Sequence, residues 1–104
     1  MGKKITGHVK KFAADVRKQF GAEKVILFGS RARGDNLKDS DFDMIIVSRA
    51  FKTIPYTQRM SKILPLWKSR YDLEALCYTP EEFEEMKRKK YSVIEQAIKE
   101  GVAA

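Results

Sequence analysis

Val25-Ile26-Leu27-Phe28-Gly29-Ser30, followed about ten residues later by Ser40-Asp41-Phe42-Asp43-Met44-Ile45-Ile46-Val47, is the stretch on which the fold turns. Both apolar runs are short and β-branched, the signature of buried strands. The first is stopped by a glycine, and the second is entered through two aspartates. On a strand, residues two apart share a face, so Asp41 and Asp43 point the same way, with Ile45 and Val47 behind them. Phe42, Met44 and Ile46 take the other face. A Gly-Ser turn leading into a helical turn near Ser30 to Arg33 offers unshielded N–H donors and a hydroxyl to a phosphate. Two carboxylates brought to one spot repel each other unless a cation lies between them. Mg²⁺, which seeks hard oxygen ligands and shares them with substrate phosphates and water, is the cation that suits such a pair.

Working outward, Ile5, Val9, Phe12, Val16 and Phe20 fall on one stripe of a helix that Gly21 should end. Thr53 to about Ser69 has helical spacing, with Tyr56, Met60, Ile63, Leu64 and Trp67 on one side, and Pro65 should kink it or end it early. Tyr71 to Tyr78 is a third strand, with Asp72, Glu74, Leu76 and Tyr78 on one face and Leu73, Ala75 and Cys77 on the other. Thr79-Pro80-Glu81-Glu82 is a strong helix start, with a capping threonine, proline in the first position and glutamate three residues beyond the cap. That helix should run to about Lys90, with Glu84 and Glu85 facing Arg88 and Lys89. A last helix, Ser92 to Glu100, turns Ile94, Ala97 and Ile98 inward and closes at Gly101.

The expected architecture is therefore one α/β domain over residues 1–104, a small mixed sheet of about three strands flanked by helices. If the acidic groups serve one site, the C-terminal end of the first strand meets the N-terminal ends of the other two. The first strand must then run antiparallel to its two companions.

The chain of 104 residues is 43% hydrophobic, which is globular rather than disordered composition. No apolar run approaches the length of a membrane span, and the N-terminus lacks the apolar core of a signal peptide, so a cytoplasmic location is expected. Cys77, the single cysteine, sits among apolar neighbours as a core residue. His8, the single histidine, belongs to helix packing or the surface. The net charge of +7 attracts phosphates, nucleotides, nucleic acid or an acidic protein. Basic and acidic residues are interleaved near the C-terminus, however, and no nucleic-acid motif is present, which ranks nucleic acid last.

Gly29-Ser30-Arg31-Ala32-Arg33-Gly34, with Ser40-Asp41-Phe42-Asp43 and the apolar strand that follows, resembles the signature of the DNA polymerase beta-like nucleotidyltransferase superfamily. More narrowly, the chain resembles the minimal nucleotidyltransferases of prokaryotes, which are often paired with a HEPN-domain protein. The resemblance implies transfer of AMP from ATP to an acceptor hydroxyl with release of pyrophosphate. It implies that Gly29 and Ser30 hold the triphosphate, that Asp41 and Asp43 hold two Mg²⁺ ions, and that Arg31 and Arg33 neutralise phosphate charge. The third carboxylate departs from the family, where aspartate is usual: counting back from Thr79-Pro80 places Glu74 there, with Asp72 on the same face as a substitute. A further departure is the end of the chain, where relatives often continue into a short apolar strand and Gly101-Val102-Ala103-Ala104 stops. The expected activity is adenylylation of a protein, a tyrosine of a HEPN-type toxin, which makes the chain an antitoxin. The alternative is a binding module that neutralises the same partner by complex formation alone.

Overall fold

In the computed structural model, residues 6–38 and 40–104 are described. The first helix, α1 (Gly7–Phe20), buries Val9, Phe12, Ala13 and Val16 along the expected stripe. Ile5 lies outside the described residues. Gly21 adopts a left-handed φ of 61° and returns its N–H to the Arg17 carbonyl, ending the helix.

Strand β1 (Lys24–Phe28) leads through Gly29 into the single turn α2 (Ser30–Arg33). Strand β2 (Phe42–Val47) runs antiparallel to β1, and β3 (Leu73–Tyr78) runs parallel to β2. The strand directions match the expectation. The strand number does not: Val102–Ala103 forms β4, antiparallel to β1, so the sheet has four strands in the order β3-β2-β1-β4. Two residues suffice because the Ala104 N–H also donates to the Val25 carbonyl, at 2.8 Å.

The parallel β2–β3 pair needs a crossover, and the chain supplies it in three short pieces rather than one helix. A 3₁₀ turn (Arg49–Thr53) precedes α3 (Tyr56–Ile63), and a second 3₁₀ turn (Leu64–Leu66) follows it. The two prolines explain the difference from the expected Thr53–Ser69 helix: Pro55 stands at the N-cap of α3, and Pro65 falls in the second 3₁₀ turn. The sheet's other face carries α4 (Pro80–Arg88) and α5 (Ser92–Glu100).

Alternation along the strands divides the core in two. Val25, Leu27, Phe42, Met44, Ile46, Leu73, Ala75 and Cys77 face α1 and the crossover, where Phe12, Val16, Phe51 and Ile63 meet them. Phe28, Ile45, Val47 and Tyr78 face Phe83, Ile94 and Ala97 of α4 and α5. Each fully buried side chain of this size contributes about 1.5–3 kcal/mol by leaving water. Ile98 was expected inward and is instead 52% exposed, because Ile94 and Ala97 alone fill the contact.

The capping box at Thr79 forms as expected, with both reciprocal bonds present. Its glutamate has a second duty. Arg59 of α3, only 5% exposed, donates to both Glu82 carboxylate oxygens (2.6 and 3.2 Å), to the Cys77 carbonyl (3.1 Å) and to the Ile54 carbonyl (2.8 Å). These bonds hold the Glu82 carboxyl below its ordinary range. On the exposed side of α4, Glu84 pairs with Lys87, and Glu85 with Arg88 and Lys89; the expected Glu84–Arg88 pair yields to the nearer i, i+3 lysine. Among the described residues no helix is long and apolar enough to cross a membrane.

Candidate active site

Hydrogen-bond register, not proximity in sequence, brings the acidic groups together. Phe28, the last residue of β1, pairs with Asp43, and Asp43 pairs on its other side with Glu74 of β3. Asp41 stands one residue ahead of β2 on the same face. Its neighbour Phe42 donates its N–H to the Asp72 carbonyl at 2.9 Å, which continues the β2–β3 pairing outward.

The strand end next to this row is shaped by a glycine. Gly29 has φ 75° and ψ −159°, a conformation essentially closed to residues with a side chain. A Cβ added there would lie 2.7 Å from Asp43 Oδ2. Bare backbone therefore lies directly against the Asp43 carboxylate. The chain then tightens into α2, with the Gly29 carbonyl accepting from Ala32 and Arg33 N–H, both at 3.1 Å. Gly34, at φ 86°, ends the turn.

The electrostatics name the members of the cluster. The Asp43 carboxyl is pushed above its ordinary value, first by burial, then by the charges of Asp41 and Glu74. Asp72 is exposed and lines a shallow depression of about 300 Å³ with Asp41, Arg70 and Tyr71. Glu74 is exposed as well, and register distinguishes the two: Glu74 pairs with Asp43, whereas Asp72 lies ahead of β3. Among the described residues no lysine or arginine pairs with Asp41, Asp43 or Glu74.

This donor set suits a hard cation: it is all-oxygen, anionic and, among the described residues, free of lysine or arginine partners. Among the described residues, no three His, Cys, Asp or Glu side chains form a ready-made metal cage. A magnesium site built on two or three carboxylates and completed by phosphate and water requires no such cage.

The two arginines go elsewhere. Arg31 donates to the Ser40 carbonyl through Nε (3.1 Å) and Nη2 (2.7 Å), and to the Lys38 carbonyl at 3.3 Å. Its guanidinium lies 4.3 Å from the centre of the Phe42 ring and 4.6 Å from that of Tyr71. Phe42 and Asp43 project from opposite faces of β2, so Arg31 sits across the sheet from the carboxylate row. Arg33 pairs with Asp35 at 3.1 Å and with Glu100 of α5 at 3.0 Å. In this arrangement neither expected phosphate-neutralising arginine is turned toward Asp43.

The two remaining titratable candidates are packing residues. His8 sets its ring edge-on against Phe42 and Trp67, and burial followed by the Arg31 charge lowers its pKa. Burial pushes the Cys77 thiol up to about 12, which leaves it inert. Spacing gave no sign of Arg59 as a buried tie or of Tyr71 as a ring partner of Arg31. Only its place one residue before Met60 and four before Ile63, on the apolar side of α3, marks the first.

Residues 9–103 match the family model described as a nucleotidyltransferase domain. The chain belongs to the nucleotidyltransferase domain family. A relative in Methanocaldococcus jannaschii, whose name is "putative protein adenylyltransferase", is 39% identical over 51 residues, 49% of this chain and 52% of that protein. The match thus spans about half the length of that relative. Among solved structures, a crystal structure titled a "putative nucleotidyltransferase" from Sulfolobus solfataricus superposes with a TM-score of 0.62 at 26% identity, covering 92% of this chain and 75% of that one. The BolA domain of SufE1 from Arabidopsis thaliana reaches a TM-score of 0.59 at 18% identity, covering 76% of this chain and 99% of that domain, a likeness of fold alone. The nucleotidyltransferase assignment therefore rests on the family match over almost the whole chain, and the acidic row lies within the matched residues.

Proposed function

We propose that this nucleotidyltransferase domain moves AMP from cytoplasmic ATP to a hydroxyl of a partner protein, with Asp41, Asp43 and Glu74 as the metal-holding carboxylates and Gly29-Ser30 as the seat of the triphosphate. The observation that carries the reading is the contact geometry at Gly29, whose missing side chain leaves room against Asp43 while Glu74 lies in register on the far side. Burial, then the charges of Asp41 and Glu74, push the Asp43 carboxyl above its ordinary value, and among the described residues no lysine or arginine pairs with the three; this supports an arrangement for a divalent ion.

Asp41 and Asp43 are the residues that would hold magnesium, with Glu74 completing the set. When bound, the ions supply charge neutralisation on the triphosphate and a lowered pKa for the attacking hydroxyl. The acceptor oxygen forms a bond to the α-phosphorus, the bond to pyrophosphate breaks, and Glu74 is placed to receive the hydroxyl proton. Gly29 gives the phosphates close approach to the backbone, and the Ser30 hydroxyl adds a donor.

The relative from M. jannaschii bears a name that mentions protein adenylylation, and this supports a protein acceptor. The proposed acceptor is a tyrosine of a HEPN-type toxin, the chain acting as its antitoxin. A second reading, neutralisation by binding alone, draws support from the position of Arg31 and Arg33 away from the carboxylates and from glutamate as the third acid. Incubation with ATP labelled at the α-phosphate, Mg²⁺ and a HEPN protein encoded beside this chain separates the two. Label on the HEPN protein, lost in Asp43→Asn, is the expected result; a tight complex carrying no label refutes transfer.

A further inference from the structure

We propose that Arg31 is a positioning residue for the metal-holding carboxylates: it clamps the segments carrying Ser30, Asp41 and Glu74 from the opposite face of the sheet.

Asp41 precedes the first residue of β2, so the strand ladder does not hold it directly. Hydrogen bonds flank it on both sides. On its C-terminal side the Phe42 N–H is bound to the Asp72 carbonyl. On its N-terminal side the Ser40 carbonyl is gripped by two N–H groups of Arg31, at 2.7 and 3.1 Å. Arg31 therefore supplies a two-point anchor for the peptide group that leads directly into Asp41. A charged donor to a carbonyl, made twice by one planar group, is among the stronger and more directional of side-chain bonds.

The same guanidinium lies over two rings. Phe42 separates Asp41 from Asp43, and Tyr71 lies just ahead of β3, three residues before Glu74. Arg31 itself follows Ser30 in α2. One side chain thus ties together the ends of β1, β2 and β3, the three places from which the proposed site draws its groups. Stacking on two aromatic faces adds attraction to the positive charge at both rings. It also fixes the plane of the fork, which lysine cannot do.

The proposal rests on the reading of Asp41, Asp43 and Glu74 as metal-holding residues, and its test keeps the two apart. Mn²⁺ affinity is measured by electron paramagnetic resonance on the whole chain, without nucleotide, for the wild type and for Asp43→Asn, Arg31→Gln, Arg31→Lys and Arg59→Met, each well below its melting temperature. Residues that orient metal ligands typically change metal affinity by about 10- to 100-fold. The expected result is a loss of about tenfold in Arg31→Gln, with Arg31→Lys recovering only part of it, and no loss in Arg59→Met even where its melting temperature falls further. Arg31→Gln with wild-type affinity, or an equal loss in Arg59→Met, overturns the clamp while leaving the carboxylate site standing. Wild-type protein whose Mn²⁺ binding is unchanged by Asp43→Asn overturns both. In the transfer assay the clamp predicts a fall in kcat at saturating Mg²⁺ smaller than the fall at limiting Mg²⁺.

Discussion

Substituting Gly29 by alanine tests the geometry at its tightest point. The backbone there, at φ 75° and ψ −159°, is one that an alanine occupies only at a cost of about 1–3 kcal/mol. For a domain of this size each kcal/mol lowers the melting temperature by about 4–8 °C, so a fall of roughly 5–20 °C is expected. The new methyl would also stand 2.7 Å from Asp43 Oδ2, whereas ordinary contact begins at 3.4 Å. The carboxylate is the free end of a side chain and can turn away, so this second effect costs little stability. It does cost position: the oxygen retreats by roughly 0.7 Å, and a displacement of about 1 Å at a reacting centre can lower the rate about 100-fold. Calorimetry and label transfer from ATP together separate the two effects. In an Asp43→Ala background most of the thermal cost of Gly29→Ala should persist, because φ is unchanged while the contact is gone. A melting temperature within about 2 °C of wild type, together with unchanged transfer, would refute the reasoning.

Three further outcomes follow from other contacts. Asp43→Asn should abolish transfer yet raise the melting temperature at pH 7 without divalent cation. The Asp43 pKa is raised, so the folded state holds this proton more tightly than the unfolded chain does; the penalty for ionising it is absent below about pH 3.8, grows as pH rises through the folded pKa, and is complete at neutrality. A lower melting temperature for Asp43→Asn at pH 7 contradicts this. Glu82→Ala, which removes the carboxylate partner of Arg59 while its bonds to the Ile54 and Cys77 carbonyls remain, and which opens the capping box, should destabilise by about 1.5–3 kcal/mol in urea titration. Because the Glu82 pKa is depressed, its contribution is complete above about pH 4.5 and fades as pH falls through the folded pKa, so wild type and variant should converge in acid. Gly101→Ala should cost about 1–3 kcal/mol by overpacking, since its Cβ would press on the Ala97 carbonyl and lie 2.5 Å from Ile26 Cγ2; equal melting temperatures would show that α5 shifts freely on β1.

Much of the fold was legible because its signals are local. Alternation in Asp41 to Val47 and Tyr71 to Tyr78 assigns side chains to the correct faces, and the requirement that acidic ends meet yields the antiparallel β1. Thr79 to Glu82 announces its capping box in four residues. The two-residue β4 escaped because so short a strand has no periodicity of its own and exists only through its pairing with β1. The crossover reads as one helix in sequence because helical spacing continues through Pro55 and Pro65, and 3₁₀ turns share much of that spacing.

At the site, sequence alone singled out Asp41 and Asp43 but left Glu74 and Asp72 as alternatives, since both share a face of β3. The parallel register, a property of pairing and not of either strand, sets Glu74 beside Asp43. Arg31 shows the opposite limit. Its position next to a Gly-Ser turn in a basic chain suggests a phosphate ligand, yet the Lys38 and Ser40 carbonyls and the Phe42 ring, all within eleven residues, take it together with the distant Tyr71 ring. Spacing alone does not reveal that the loop folds back on Arg31, because that fold-back depends on where β2 and β3 lie.

The most direct test of the central claim is a crystal structure with Mg²⁺ and a nonhydrolysable ATP analogue. The account predicts metal on Asp41 and Asp43 with the triphosphate seated against Gly29 and Ser30, and Glu74 reaching the same centre. Nucleotide bound elsewhere, for example in the groove of about 640 Å³ lined by Tyr56, Tyr78 and Met86, with the three carboxylates free of metal, would contradict it.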